Sequence, residues 1–229
     1  MDKQALREQT WQALEDAGAS RFPGTKGRIP NFVGAEAAAQ RLSETQVFQR
    51  AQRIKVNPDS PQRKVRHLAL LAGKRVYVPV PRLAEERPFV ELDPERIDDL
   101  WRATSIQGAA ELGLRVSAEE VGHLELIVTG CVAVTREGAR LGKGGGYSDI
   151  EYAILRELGL VDAETPIVTT VHPVQVVPEI PMTPHDISLD LVVTPDEVID
   201  CPRPFDRPTG VEPTLLSEQQ RAAIPVLRH

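Results

Sequence analysis

The sequence predicts an α/β fold, a three-layer α/β/α sandwich built on a mainly parallel, Rossmann-like sheet. The main observation is the order of segments: short apolar stretches alternate with helical ones, which places helices on both faces of a parallel sheet. In addition, residues 124–128 are almost continuously apolar, the pattern of a strand that is covered on both faces.

The N-terminal half is predicted to alternate between helices and short strands. Helices are expected over residues 2–17, 34–48, 60–72 and 93–101, and strands over 54–56 and 75–80. Asp2 and Ser60 are expected to cap the first and third helices, because short polar side chains accept hydrogen bonds from a helix's first N–H groups. Gly18 is expected to end the first helix.

The C-terminal half continues the same alternation before its composition changes. Strands are predicted over residues 124–128, 167–171 and 189–193, with a helix over 149–158 between the first two. Residues 1–201 are therefore interpreted as one α/β domain. Residues 202–229 are rich in Pro, Arg and Asp and are interpreted as a C-terminal arm with a short helix around 217–223.

Composition narrows the class of function. The 229 residues carry 27 Lys and Arg against 33 Asp and Glu, a net charge of −6, and only 4% aromatic residues. We expect no nucleic-acid partner, because phosphate-led binding needs a basic surface and single-strand binding needs aromatic platforms. No apolar run approaches the length of a membrane helix, so we expect a cytoplasmic protein with no membrane association. The oligomeric state is left open.

The most informative stretch is the glycine-rich turn from Arg140 to Glu151. It holds four glycines in five positions, namely Gly142, Gly144, Gly145 and Gly146. Such a backbone can pass close to a ligand, and successive N–H groups before a helix make an anion cradle. Arg140 and Lys143 add positive charge, which favours a polyphosphate. The alternative is a tight strand-to-helix turn whose basic residues face solvent.

The start of the following helix carries three polar side chains with different expected roles. Ser148 and Glu151 match the S-x-x-E pattern of a capping box, which is a structural role. Asp149 lies in the first turn, where the helix dipole favours a carboxylate. Beside bound phosphates the same carboxylate would suit Mg²⁺, which takes one or two carboxylates together with phosphate oxygens.

This turn and its surroundings resemble the 5-formyltetrahydrofolate cyclo-ligase family. The family's R-L-G-x-G-G-G-Y-Y-D stretch stands here as residues 140–149, with Ser148 in place of the second Tyr. Its opening K-x-x-L-R is matched by Lys3, Leu6 and Arg7, and a late segment with two spaced aspartates is matched by Asp186 and Asp190. The order and spacing agree over residues 3–200.

The resemblance implies an ATP- and Mg²⁺-dependent ligase that closes 5-formyltetrahydrofolate to 5,10-methenyltetrahydrofolate, giving ADP and phosphate. It implies that Lys3 and Arg7 contact the ATP phosphates, although charged residues on a helix are also typical of a solvated face. It further implies that Arg140 and the amides of residues 142–146, Lys143 among them, grip the β- and γ-phosphates. Asp149 would hold Mg²⁺, and Tyr147 would lie near the formyl-pterin.

The departures from the family pattern lie on the folate side. Ile150 replaces the Arg that usually follows the Asp, and the stretch 57–64 shows no match to the family's folate-side carboxylate. The sequence looks most like the divergent methenyltetrahydrofolate synthase domain-containing branch. The alternative function is therefore a nucleotide-binding homologue that has lost the ligase reaction. A sugar-phosphate isomerase or a CoA-transferase-like enzyme is a third interpretation, based on fold kinship alone.

Overall fold

An eight-stranded sheet forms the centre of the computed structural model, which describes residues 2–225. In chain order the strands are β1 (Ser20–Arg21), β2 (Asn31–Phe32), β3 (Arg53–Val56), β4 (Arg75–Pro79), β5 (Phe89–Leu92), β6 (Leu114–Val116), β7 (Leu126–Val128), β8 (Ala133–Val134), β9 (Arg140–Leu141), β10 (Ile167–Thr170), β11 (Leu191–Val193) and β12 (Val198–Asp200). The sheet order is β12-β11-β10-β7-β3-β4-β5-β6. The five strands from β11 to β4 pair in parallel, and the outer pairings are antiparallel.

Helices cover both faces of this sheet. They are α1 (Lys3–Asp16), α2 (Ala35–Ser43), α3 (Gln46–Arg50), α4 (Arg63–Leu71), α5 (Leu100–Ala103), α6 (Ile106–Leu112), α7 (Ala118–Val121), α8 (Tyr147–Glu157) and α9 (Glu218–Ala223). On one face α2 and α4 pack against Ile54 and Val56 of β3. On the other face α8 packs against Tyr77 of β4 and Ile127 of β7. The predicted α/β class with a mainly parallel sheet is confirmed.

The helix predicted over residues 34–48 is two helices. Ala35–Ser43 ends one residue before Glu44, and Thr45 then caps α3 by accepting the Phe48 N–H at 3.4 Å. A threonine hydroxyl that caps a new helix offers the backbone an alternative to continuing the old one. The alanine content therefore predicted that this region is helical but did not predict the interruption between α2 and α3.

Two further predicted helix starts are wrong. Asp93 does not open a helix: its carboxylate accepts the Glu95 N–H at 3.0 Å and pairs with Arg75 of β4 at 3.3 Å, which fixes a turn. The helix begins only after Asp99, whose side chain caps α5. Ser60 does not cap α4 either, because residues 60–62 form a 3₁₀ turn ahead of it.

Asp2 caps α1 as predicted, accepting the Gln4 and Ala5 N–H groups at 2.8 and 2.9 Å, and Gly18 follows the helix with φ 62°.

The division into a domain over 1–201 and an arm over 202–229 stays a prediction. Residues 226–229 of that arm lie outside the described residues. Within residues 2–225, none of the helices has the length and apolar character needed to cross a membrane.

Candidate active site

A cavity of about 600 Å³ lies beyond the carboxyl ends of β3 and β4, between the glycine-rich loop and the segment that follows β3. Open parallel sheets place ligands at this edge, because the loops that leave the strands diverge there. The polar side chains that line the cavity are Arg28, Asn57, Asp59, Ser60, Arg140, Lys143, Tyr147, Ser148, Asp149 and Glu151. The cavity therefore contains most of the residues that the sequence pointed to.

The glycine-rich loop turns sharply into α8. Gly144 has φ 111° and Gly146 has φ 68°, values that side-chain-bearing residues rarely adopt. Gly146 is the N-cap residue of α8, and no side chain caps this helix. Gly145 and Gly146 both line the cavity. The N-terminal end of an eleven-residue helix, with its positive dipole, is thus directed at the space where an anion would bind.

Arg140 and Asp149 form an ion pair at the cavity wall. Arg140 is 4% exposed, and its Nη1 lies 3.1 Å from Asp149 Oδ1, while its Nη2 donates to the Gly130 carbonyl at 3.2 Å. Burial alone would lower the pKa of Arg140, but Asp149 opposes this and the pKa lies above its usual value. The same Asp149 oxygen accepts the Ile187 N–H at 3.1 Å. The pair therefore keeps a permanent cation fixed at the loop's base.

The two basic residues of α1 occupy different positions. Arg7 reaches the loop, where its Nε donates to the Gly142 carbonyl at 2.7 Å, and its guanidinium lies beside Gly144. Lys3 does not line the cavity; its Nζ is held by Asp186 at 2.5 Å. Burial by itself raises the pKa of Asp186, but hydrogen bonds from Lys3 and Thr183 hold that pKa below its usual value.

Four polar residues connect β3 to the first turns of α8. Lys55, which is 1% exposed, pairs with Glu151, which is 4% exposed. Lys55 Nζ also donates to Asn57 Oδ1 at 2.5 Å, and Asn57 Nδ2 donates to Ser148 Oγ at 3.2 Å. Ser148 and Glu151 therefore do not form the predicted capping box. Their partners are instead Asn57, just after β3, and Lys55 of β3, which lie 91 and 96 residues earlier in the chain.

Sequence reasoning missed Asp59, whose side chain lies in the cavity wall three residues beyond β3. Among the backbone and side-chain donors that the structure describes, none reaches its carboxylate, although its backbone carbonyl accepts from Arg66 at 3.2 Å. Its position after a parallel strand was the available signal. Lys55 was also missed, and there the signal was a charged residue between the apolar residues Ile54 and Val56 of a short strand.

The aromatic residues considered for pterin recognition are separated. Tyr147 lines the cavity and is the one aromatic side chain described there. Trp101 lies in a second groove, where the Arg63 guanidinium sits 4.2 Å from the centre of its ring. A flat ligand in the cavity would therefore stack on Tyr147 and on the prolines of the cavity wall rather than on Trp101.

The donor set fits Mg²⁺ only together with phosphate. Among the described residues no cluster of three or more His, Cys, Asp or Glu side chains could hold a metal ion alone. Asp149 offers one carboxylate, of which Oδ1 already accepts from Arg140 and Ile187. One carboxylate oxygen completed by phosphate oxygens and water is a common Mg²⁺ environment. The assignment of Asp149 to the metal stays a prediction.

Comparison with known proteins supports the resemblance seen in the sequence. The model of the 5-formyltetrahydrofolate cyclo-ligase family matches residues 1–195. A methenyltetrahydrofolate synthase domain-containing protein of Mus musculus is 40% identical, covering 100% of this chain and 63% of that protein. Its counterpart in Homo sapiens is 39% identical, covering 100% and 61%. The chain thus spans about three fifths of the length of these two relatives.

A solved structure shares the fold. The NMR structure of Aquifex aeolicus 5,10-methenyltetrahydrofolate synthetase matches with a TM-score of 0.55 and 19% sequence identity, covering 88% of this chain and 94% of that chain. The family model covers the glycine-rich loop, β3 and α8, which together build the cavity. The resemblance is confirmed, and this chain belongs to the 5-formyltetrahydrofolate cyclo-ligase family.

Proposed function

We propose that the protein catalyses the ATP- and Mg²⁺-dependent closure of 5-formyltetrahydrofolate to 5,10-methenyltetrahydrofolate. The observation that carries this proposal is the cavity in which buried Arg140, Asp149 and the glycine-rich start of α8 converge, in a chain that belongs to the cyclo-ligase family. The cavity offers charge for a polyphosphate and a separate polar wall for a second reactant. Both reactants are needed in one place for the proposed chemistry.

The proposed reaction has two steps. The formyl oxygen attacks the γ-phosphorus of ATP and ADP leaves, which turns a poor leaving group into phosphate. The N10 amine then attacks the activated formyl carbon, phosphate departs, and N10 loses its proton as the ring closes. Such chemistry depends mainly on positioning and on stabilising phosphate charge, which are tasks for fixed donors.

The phosphate side is assigned to the loop. Arg140, together with the N–H groups of residues 142–146, would bind the β- and γ-phosphates, with Lys143 at the exposed rim. Arg7 would support the loop through its hydrogen bond to Gly142. Mg²⁺ bound by Asp149 and the phosphates would neutralise charge on the transferred group. Lys3 would need to leave Asp186 to reach a phosphate, so we assign it to holding α1 in place.

The folate side is assigned to Tyr147 and Asp59. Tyr147 would stack on the pterin, because it offers an aromatic face in the cavity. The Asp59 carboxylate lines the same cavity and has no hydrogen-bond partner among the groups that the structure describes, so it would accept the N10 proton as the ring closes.

The cavity floor favours a second candidate function. The Lys55–Glu151 pair places a fixed polar group, Glu151, in the cavity wall, and Asn57 and Ser148 add further donors and acceptors there. A different ligand with a complementary polar edge would suit this floor. The second candidate is a nucleotide-binding member of the family that has lost the ligase reaction.

An assay separates the two candidates. Purified protein with 5-formyltetrahydrofolate, ATP and Mg²⁺ is expected to form the methenyl product, followed by its absorbance, and omitting ATP is expected to abolish it. ADP should accumulate one for one with product. Nucleotide binding by calorimetry without any product would reject the ligase and leave the second candidate.

Replacing Gly144 by Ala tests the loop's backbone. A side chain at φ 111° costs about 1–2 kcal/mol, and the exposed loop relieves this strain by shifting. We therefore expect ATP affinity to fall about tenfold in titration calorimetry. Gly73→Ala is the matched control, because Gly73 has φ 76° with open space around it and lies outside the cavity. Equal affinities in the two variants would contradict the loop's assignment.

A further inference from the structure

The C-terminal segment 211–224 runs along α8 and meets the glycine-rich loop. At the far end of the helix the Val211 N–H donates to Glu157 Oε2 at 3.0 Å. At the loop end Gln220 Nε2 donates to the Gly145 carbonyl at 3.1 Å. This segment lies beyond residue 195, where the match to the family model ends. It nevertheless touches the part of the cavity assigned above to phosphate.

An apolar anchor holds the segment against the helix. Ile224 has no exposed surface and packs with Leu83, Ile150 and Ile154. Tyr147, which lines the cavity, packs against the same cluster. The segment is therefore in contact with two elements of the site, the loop backbone and the aromatic side chain that follows it.

The Gln220 amide bridges its own helix and the loop. Its Oε1 accepts from the Ser217 N–H and Oγ at 2.9 and 3.1 Å, which completes a capping box at the start of α9. Its Nε2 is then free to donate to Gly145, and it lies 3.4 Å from where a Cβ of Gly146 would stand. Capping thus fixes the orientation of the group that contacts the loop.

The bond to Gly145 fixes the direction of a loop N–H group. In a trans peptide the carbonyl and the next residue's N–H point in opposite directions. Because the Gly145 carbonyl is held by Gln220, the Gly146 N–H points away from the segment. Gly145 and Gly146 line the cavity and Gln220 is not among its lining residues, so we infer that this N–H is presented to an anion there.

We propose that Gln220 is a positioning residue of the nucleotide site: with Ile224 as anchor, it holds the Gly145–Gly146 peptide in the orientation that binds the ATP phosphates. The inference rests on the proposed nucleotide site but not on ligase turnover. Because coupling between two events is reciprocal, a bound nucleotide must tighten the docking of residues 217–224 by the same factor.

The test uses the full chain and a nonhydrolysable ATP analogue, adenylyl imidodiphosphate, with Mg²⁺. Gln220→Glu keeps the capping acceptor for Ser217 but removes the donor to Gly145. Gln219→Glu adds the same charge one residue earlier, at an exposed position, and is the matched control. We expect Gln220→Glu to weaken binding by about three- to tenfold and the control to stay within about twofold, on the scale of one hydrogen bond.

Two further measurements keep the inference open to refutation. Ile224→Ala is expected to weaken binding in the same direction, and the analogue is expected to slow amide exchange over residues 217–224 in the unmodified chain. Equal affinities for Gln220→Glu and Gln219→Glu, or exchange unchanged by the analogue, would overturn it. Nucleotide binding without product in the unmodified chain would defeat the ligase alone, whereas no nucleotide binding at all would defeat both.

Discussion

Asp149→Asn is expected to reduce ATP-dependent product formation by about 10²- to 10³-fold, the loss typical of removing one charge-stabilising group from an active site. The substituted amide keeps an oxygen for the Ile187 N–H, so the fold should be retained. What disappears is the negative charge that pairs with Arg140 at 3.1 Å and that would bind Mg²⁺. The loss should therefore appear in kcat and in the Mg²⁺ requirement together.

The measurement is initial rate against Mg²⁺ concentration at saturating ATP. The half-saturating Mg²⁺ concentration should rise for Asp149→Asn. It should stay unchanged for Asp98→Asn, which removes the same charge from an exposed residue outside the cavity. A variant at position 149 that retains a tenth or more of the rate, with an unchanged Mg²⁺ profile, would contradict the metal assignment.

Lys55→Met is expected to lower the free energy of unfolding by about 3–5 kcal/mol. The substitution leaves Glu151 as a buried carboxylate without its cation, which costs more than the original pair contributes. It also leaves the Asn57 Oδ1 without its donor. Urea unfolding at neutral pH, with the slope compared between variants, measures this loss.

The double variant Lys55→Met, Glu151→Leu is the control for that interpretation. It removes both charges, so we expect it to recover more than half of the loss, with the unpaired Asn57 oxygen accounting for about 1 kcal/mol of the remainder. If the double variant is no more stable than the single one, the loss comes from packing and not from an uncompensated charge.

The same pair determines how the stability of the Lys55→Met variant depends on pH. Burial raises the pKa of Glu151 above its ordinary value, and Lys55 opposes that rise. Without Lys55 the pKa rises further, so the folded state holds the proton more tightly than the unfolded state. A raised carboxyl pKa contributes stability that is present below the unfolded pKa and lost as pH rises. The loss in free energy of unfolding caused by Lys55→Met should therefore become smaller toward acid pH.

Sequence patterns predicted the five parallel strands of the central sheet, whose signals are local, but not its three antiparallel strands β5, β6 and β12. The apolar runs that became β7 and β11 reflect burial on both faces, which shows in consecutive residues. The glycine-rich loop was visible for the same reason. Helix starts were less predictable, because the side chains expected to cap them have other partners. Asp93 forms an ion pair with Arg75, and Ser148 accepts a hydrogen bond from Asn57. Those partners are set by the tertiary fold, which overrides local capping preferences.

Only some of the residues that form the cavity and its surroundings could be predicted from the sequence. Arg140 and Asp149 stand in one motif, so their meeting could be anticipated. Asp59 lines the same cavity from the segment after β3, and Gln220 contacts the cavity-lining Gly145 from the C-terminal segment, 75 residues further along the chain. No periodicity links positions so far apart. Their roles follow from the topology, which brings strand ends and the last helix to one edge of the sheet.

The ion pair between β3 and α8 also constrains how this sequence can change over generations. A single substitution at position 55 or 151 would remove several kcal/mol from a domain whose total stability is typically 5–15 kcal/mol. Drift at one site is therefore tolerated only when the other changes with it. Across relatives of this chain, we expect positions 55 and 151 to covary, either both charged or both apolar, while Asp98 and Gln219 vary independently.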